Sequence, residues 1–512
     1  AVVFIFVDEA SSQAYRVLGE ALAEGEEMES AHSITSSAIY SLAQRLEPTP
    51  YAAAKAGRLA DALRLLEEYM VSAGLTTGPP AVAYRGLNGE VNWNLSQDKI
   101  RELLIEAGYT ENGIAFILNQ IKFHESFSSE EEALSAQEAL FKRVPLAING
   151  AAGRIGRLTA TRIIGLQLRA LLTQPGLFDV IALSGVRDPR QLAKDLLSRD
   201  STYGRLLPEE TVIEYLNRDG RDYLLLNGKE LLVLNVRKGA IPWRDSPRYQ
   251  EDLIVFEASG KNLTTPDARK VHIAGGAKVV IFTAPAKDNT PTAVLGVNEE
   301  RVLTGDIPDV LANASCTTNG LAGVVKVIHE AFTVVRGAML THHGYTGDQK
   351  ILDQPHAEEL GRSFAATLNT LITKTGAAAL VSDKVLSLIP GVGKNDGKAL
   401  RVPVPTTSVV CYFAEVQTPT TRDEVIERFQ AYANAHPSLL YLGEGLSTRD
   451  VKGSTYSSLV DTRSIRVLGG RFVIVFAWYD NEWGYVHRLI DLAGLVRERF
   501  YAGDPVVERE FP

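Results

Sequence analysis

The chain has 512 residues, 45% hydrophobic and 22% charged, an ordinary globular balance with material for about three domains. A formal net charge of −9 and a pI near 5.6 argue against nucleic acid or an anionic membrane as partner, while leaving room for a local phosphate pocket. No apolar run is long enough to span a bilayer, and two cysteines cannot build a disulfide framework, so a reducing cytoplasm is the expected setting and no metal is expected.

The opening "AVVFIFVD" is apolar but lacks a basic segment before it, and it reads as a strand rather than a signal peptide. Most of residues 1–143 reads as helix. "YAAAKAGRLADALRLLEEYM" (51–70) has helical periodicity. "NLSQDKIRELLIEAG" (94–108) opens at a serine and stops at Gly108, and Ser129 with Glu132 forms a capping box ahead of "EALSAQEALFKR". The turn-rich "GLTTGPPAVAYRGLNGE" (74–90) divides this extension.

From Val144 the texture changes. "VPLAING" predicts a strand, "RIGRLTATRIIGLQLRALLTQ" a helix and "FDVIALSG" a second strand, which together make a βαβ unit and predict a Rossmann-type parallel sheet. Between the first strand and the helix, "NGAAGRIGR" (149–157) supplies Gly150, Gly153 and Gly156. Glycines there permit a tight turn and close approach of a pyrophosphate to the helix N-terminus, where Arg154 and Ile155 stand. The second strand ends in Ser184 and Gly185, with Arg187 and Asp188 shortly after, where an acid holding the adenosine ribose is expected. Asp188 at the ribose favours NAD; Ser184 and Arg187 there accommodate NADP. Both stay open, and NADP is expected to serve at least as well as NAD. Two more strands, "EDLIVFEASG" (251–260) and "AKVVIFTAP" (277–285), end in small or hydroxyl residues, as strands bordering a ligand crevice do, which brings in Ser259, Gly260 and Thr283.

"ASCTTNG" (314–320) precedes the helical run "LAGVVKVIHEAF". A helix N-terminus lowers a thiol's pKa and can hold an oxyanion, so Cys316 is placed as a nucleophile. Cys411, in the alternating "TSVVCYF", reads as a buried small hydrophobe. "RGAMLTHHGYT" predicts a strand on which His342 and His343 point oppositely, so only one of them can face the thiol. The runs "ALRVPVPTTSVVCYFAEVQT" and "GRFVIVFAWYDN" predict further long strands of a second, α+β domain, and "EWGYVHRLIDLAGLVRERF" an amphipathic closing helix.

The stretches "ASCTTNGLA", "HHGYTGDQKILD", "TGAAA", "RVPVPTTSVV" and "WYDNEWGYVHR", in this order, resemble the phosphorylating glyceraldehyde-3-phosphate dehydrogenase family, here in a long form with an N-terminal helical extension. The likeness runs from about Val144 to about Arg499. It implies Cys316 as nucleophile and His343 as base, with His342 structural. It places Thr346 and Arg401 at the substrate phosphate, and Ser315, Thr317, Thr375 and Gly376 around inorganic phosphate. Asn481 would hydrogen-bond the nicotinamide carboxamide, Tyr485 would pack beside the ring, and Thr283 would lie near it. Implied partners are a small phosphorylated aldehyde, inorganic phosphate and NAD or NADP, in a tetrameric homo-oligomer.

Four departures from the family pattern stand out. The glycine turn has one residue more than usual, a spacing seen in many NADP-using reductases. The acid after the second strand is displaced. Gly344 replaces serine or alanine. Phe364 stands where an arginine commonly faces inorganic phosphate, and Arg362, two residues earlier, is expected to substitute. The expected division is a helical extension (1–143), a dinucleotide-binding domain (144–315), a catalytic domain (316–480) and a C-terminal helix returning to the dinucleotide domain (481–512). Competing readings are a dehydrogenase of a related aldehyde such as erythrose 4-phosphate, a non-phosphorylating enzyme, and a nucleotide-sensing module without catalysis.

Overall fold

The computed structural model describes residues 143–500 apart from 170–177, 186–187, 209–210, 237, 306, 357–358 and 387–392. Of the expected helical extension all but Arg143 lies outside the described residues, as does Arg187. Both sheets belong to the compact unit formed by residues 143–165 and 177–512.

In the first sheet, every residue of "VPLAIN" is buried, the signature of a strand covered on both faces. The strands are β1 (Val144–Asn149), β2 (Phe178–Ser184), β3 (Ile213–Arg218), β4 (Arg221–Leu226), β5 (Lys229–Leu234), β6 (Ile254–Glu257), β7 (Val279–Phe282) and β8 (Val310–Ala312). Their order is β3-β4-β5-β2-β1-β6-β7-β8. From β5 to β8 all neighbours run parallel, which is the doubly wound arrangement, and the order reverses direction between β1 and β6. Ligand crevices open at that reversal, beyond the C-terminal strand ends. Helix α1 (Arg154–Arg169) follows the glycine turn, and α2 (Pro189–Leu197) follows β2, capped by Asp188, whose side chain accepts from Arg190 N.

The antiparallel meander β3-β4-β5 is an addition that the βαβ reading did not include. Its sequence signals are Asp219-Gly220 and Asn227-Gly228, all four at positive φ, the two-residue turns that match strand twist.

The second sheet contains β9 (Val334–Gly344), β10 (Leu371–Thr373), β11 (Lys394–Val402), β12 (Ser408–Val416), β13 (Leu440–Gly443), β14 (Ser458–Asp461), β15 (Arg466–Leu468) and β16 (Phe472–Tyr479). The order is β10-β11-β9-β12-β16-β14-β13, with β15 beside β16. The run expected as one long strand over 399–418 is two. Proline at 403 and 405 removes ladder donors, Thr407 takes φ 69, and the chain crosses over so that β11 and β12 flank β9 on opposite sides. One face of this sheet carries Val410, Tyr412 and Ala414 of β12 and Val473, Val475 and Ala477 of β16. Against it pack Leu321, Val324, Val325 and Ile328 of α3 (Cys316–Phe332), and Val425 and Phe429 of α4 (Arg422–Ala435). Each such side chain contributes about 1.5–3 kcal/mol by burial, so α3 is held firmly and its first residue is fixed in space. The chain ends its described part in α5 (Trp483–Phe500), as the sequence predicts.

Candidate active site

Cys316 is the first residue of α3. Ser315 caps the helix, its Oγ accepting from Thr318 N at 3.0 Å, and no acidic residue stands in the first turn. From the other side Tyr485 of α5 donates to the carbonyl of Ala314 at 3.0 Å, and Ala314 takes φ 54 to bring the chain out of β8 into the helix.

The partner comes from the second sheet. Register pairs Arg401 with His343, His343 with Ser408, and Ser408 with Tyr479, so four neighbouring strands present these side chains in one transverse row on one face. His343 Nε2 lies 3.3 Å from Cys316 Sγ. Its Nδ1 is 2.6 Å from the Gly344 carbonyl, which can only accept and so favours a proton on Nδ1, leaving the Nε2 lone pair to the sulfur. The guanidinium of Arg401, which can only donate, sits 2.8 Å from the same Nδ1 and pulls toward the other tautomer, while it also donates to the Gly344 carbonyl at 3.3 Å. Burial first, then the positive charge of Arg401, push His343 down to about 3. Burial pushes the Cys316 thiol up, against the opposing pull of Arg401 and of hydrogen bonds at Thr317. Desolvation thus works against the lowered thiol pKa expected from the helix terminus. Neither group is stable as a lone charge here, so the proton passes between Sγ and Nε2 as a property of the pair.

Around this pair stands a cluster of cationic and hydroxyl side chains, the groups that suit an anion. Arg401 Nη1 is 3.4 Å from Thr346 Oγ1, and Arg401 Nε is buried without a partner, a donor awaiting an acceptor. Thr346 donates to Asp348, and Asp348 also pairs with Arg362, which holds Glu359 through Nε at 2.8 Å. Arg362 thus joins the same cluster through Asp348, tied to two carboxylates, while Phe364 is exposed. Thr375 accepts from Ala377 N at 3.3 Å, next to Gly376 at the start of a short helix. The hydroxyl of Thr317 is turned inward, 2.8 Å from Tyr479 OH. His342 occupies the opposite face of β9, as expected from strand alternation.

The crevice of the first sheet is built largely from backbone. Gly150 has φ 85, and a Cβ there would lie 2.6 Å from the backbone of Ala258 and Ser259. A Cβ on Gly156 would lie 2.2 Å from the Gly150 carbonyl. Ser184 pins the turn through its carbonyl, which accepts from Gly150 N and Ala151 N at 2.8 and 3.0 Å. Helix α1 has no acidic residue in its first turn, so its N-terminus, with Gly153 and Ile155, can receive a pyrophosphate. Arg154 is otherwise engaged: its guanidinium holds Glu482 and Asp200. Asp188 is exposed at the α2 cap. Ser259 and Gly260 follow β6, and Thr283 donates to the Glu257 carbonyl at 3.1 Å. Asn481 accepts from Ser408 Oγ at 3.0 Å, and its Nδ2 is buried without a partner. That orphaned donor suits a carboxamide oxygen, and the residues present fit a nicotinamide dinucleotide.

Sequence reasoning missed Tyr479, whose hydroxyl joins Thr317 and Thr341 at 2.8 and 2.9 Å and whose ring meets His343 edge-on at 6.1 Å. It missed the Arg154 pairs and the buried Glu257 as well. Only the strand register could have found Tyr479. Cys411 matches its reading: it is buried on β12, and burial pushes its thiol up to about 11. Among the described residues no helix is long and apolar enough to cross a membrane.

Residues 315–481 match the family model of the glyceraldehyde 3-phosphate dehydrogenase C-terminal domain. The chain is 41% identical over 359 residues to glyceraldehyde-3-phosphate dehydrogenase of Geobacillus stearothermophilus, covering 70% of this chain and 99% of that protein. It is 40% identical over 362 residues to glyceraldehyde-3-phosphate dehydrogenase 2 of Bacillus subtilis, covering 70% and 98%. With the chloroplastic glyceraldehyde-3-phosphate dehydrogenase A of Chlamydomonas reinhardtii identity is 38% over 369 residues, covering 70% and 91%.

Proposed function

The chain belongs to the glyceraldehyde-3-phosphate dehydrogenase family, and on that premise we propose that it oxidises glyceraldehyde 3-phosphate, with inorganic phosphate, to 1,3-bisphosphoglycerate, reversibly. The observation that carries the reading is the 3.3 Å approach of Cys316 Sγ to His343 Nε2 at the head of α3, beside Arg401.

Cys316 Sγ attacks the aldehyde carbon while its proton passes by way of His343 Nε2 to the carbonyl oxygen, which gives the thiohemiacetal hydroxyl and returns His343 to its neutral form. Thr346 and Arg401 hold the substrate's phosphate, and Arg401's unpartnered Nε supplies a further donor. A nicotinamide cofactor held in the crevice would supply the acceptor for the hydride of the thiohemiacetal carbon. The hydroxyl proton goes to His343, and the carbon remains on Cys316 as a thioester. A phosphate oxygen then attacks that carbonyl, the carbon–sulfur bond breaks, and the thiolate is restored. Ser315, Thr317, Thr375, Gly376 and Arg362 are assigned to the attacking phosphate; Arg362 must exchange part of its hold on Asp348 to serve it.

The turn at Gly150, Gly153, Arg154, Ile155 and Gly156, the strand ends at Ser184, Ser259, Gly260 and Thr283, and Asn481 with Tyr485 are assigned to NAD or NADP. Asp188 is held at a helix cap and exposed, which supports NADP serving at least as well as NAD. The chain divides as residues 1–143, 144–315, 316–480 and 481–512. Exposed Ile351, Leu352, Leu360, Leu368 and Ile372, close in sequence, support a homo-oligomer, with a tetramer the expected form, and two unpaired cysteines suit a reducing cytoplasm. A steady-state assay with glyceraldehyde 3-phosphate, varying cofactor and phosphate, tests the reading. Turnover without any dependence on phosphate would replace it with a non-phosphorylating one, for which exposed Phe364 is the supporting observation.

A further inference from the structure

We propose that Glu257 is a positioning residue of the dinucleotide crevice, its buried carboxylate clamping the two turns between which the cofactor lies. The inference rests on the reading that this crevice takes a nicotinamide dinucleotide.

Glu257 is the last residue of β6 and is wholly buried. Register sets it beside Asn149, the last residue of β1 and the one before the Gly150 turn. Oε2 accepts from Asn149 Nδ2 at 2.8 Å, from Asn262 Nδ2 at 3.0 Å and from His272 Nε2 at 2.8 Å, and Oε1 accepts from Ser259 N at 2.7 Å. One carboxylate thereby ties the start of the first turn to the whole of the turn after β6. The two turns press together at this point, with Ala258 N donating to the Asn149 carbonyl at 2.8 Å and no space for a Cβ on Gly150.

A carboxylate in such a place is costly unless all its acceptor sites are met, so a chain that needed only packing would carry an apolar residue. Burial raises the carboxyl's pKa, but His272, Ser259 and Asn262 together pull it below the ordinary value, and the group stays charged. The His272 ring is fixed in turn by Trp243, stacked at 5.9 Å, with both side chains fully buried. His272 Nε2 is the donor, since a carboxylate only accepts, and Nδ1 is left buried and unpartnered. The assembly is therefore set from below by a rigid aromatic floor and acts upward on Asn149 and Ser259. None of its members belongs to the Cys316–His343 site.

Glu257→Gln keeps the shape but aims an amide N–H₂ at groups that are themselves donors. Dinucleotide Kd, read by quenching of tryptophan fluorescence in the full chain, is expected to rise about tenfold for the variant. The kcat at saturating cofactor and the rate of Cys316 alkylation in the cofactor-free protein are expected to hold near wild type. A folded variant whose Kd is unchanged overturns the inference, as does one in which alkylation slows as much as binding weakens. Should the variant fail to fold, Asn149→Ala removes one of the four bonds, and an unchanged Kd there overturns it equally. Wild-type protein that binds neither NAD nor NADP would instead sink the reading of the crevice itself.

Discussion

The two sheets build their candidate ligand regions by opposite means. The crevice beyond β1 and β6 is made by backbone: a turn with φ 85 at Gly150, the Ser184 carbonyl and a helix terminus. The site on the second sheet is made by side chains, a row of Arg401, His343, Ser408 and Tyr479 facing a thiol on α3. A backbone site tolerates change in most side chains but not the addition of a Cβ. A side-chain site tolerates backbone variation but not the loss of one functional group.

The largest expected effect falls on the side-chain site. Cys316→Ser should lower kcat for glyceraldehyde 3-phosphate oxidation by about 10⁴-fold or more while dinucleotide Kd stays put, because sulfur is the bonding atom and the crevice does not use it. If Kd shifted as strongly, the two regions would be one.

Next comes His343→Asn, for which kcat is expected to fall about 10²–10⁴-fold with loss of the proton acceptor. Its pH signature follows from the paired proton. Without Nε2 the sulfur loses the group that takes its proton, so less thiolate forms at pH 7. The pH profile of iodoacetamide alkylation should therefore move to higher pH than in wild type; a shift to lower pH would remove His343 as the partner.

Gly156→Ala probes the other region. The new Cβ would meet the Gly150 carbonyl at 2.2 Å, so the turn must move. A loss of about 1–3 kcal/mol in unfolding free energy is expected, with a raised dinucleotide KM and an undisturbed alkylation rate. An unchanged KM would count against the backbone account.

The smallest effect is expected from Tyr479→Phe. Thr317 and Thr341 lose a shared buried partner, at a cost of about 1–3 kcal/mol in denaturant unfolding, with a modest drop in kcat from looser support of α3. A stability equal to wild type would show that the two threonines find other partners.

Much of this was legible from local pattern. The strand, glycine turn and helix at 144–169, the helix starting at Cys316 and the closing helix are each short-range signals, and the structure has them in place. The meander was legible too, in Asp219-Gly220 and Asn227-Gly228, but went unread beside the stronger βαβ signal. Prolines at 403 and 405 marked the break that separates β11 from β12.

By itself the sequence determined which residues are candidates for chemistry, since thiol, imidazole and glycine turn are properties of residue type and near neighbours. Only the tertiary structure decided how those groups behave. The row joining Arg401, His343, Ser408 and Tyr479 depends on register between strands, and the four bonds of Glu257 join residues up to 108 positions apart. Desolvation, which raises Cys316 and lowers His343, arises only when the sheet and α3 come together around both groups, so no local pattern can report it.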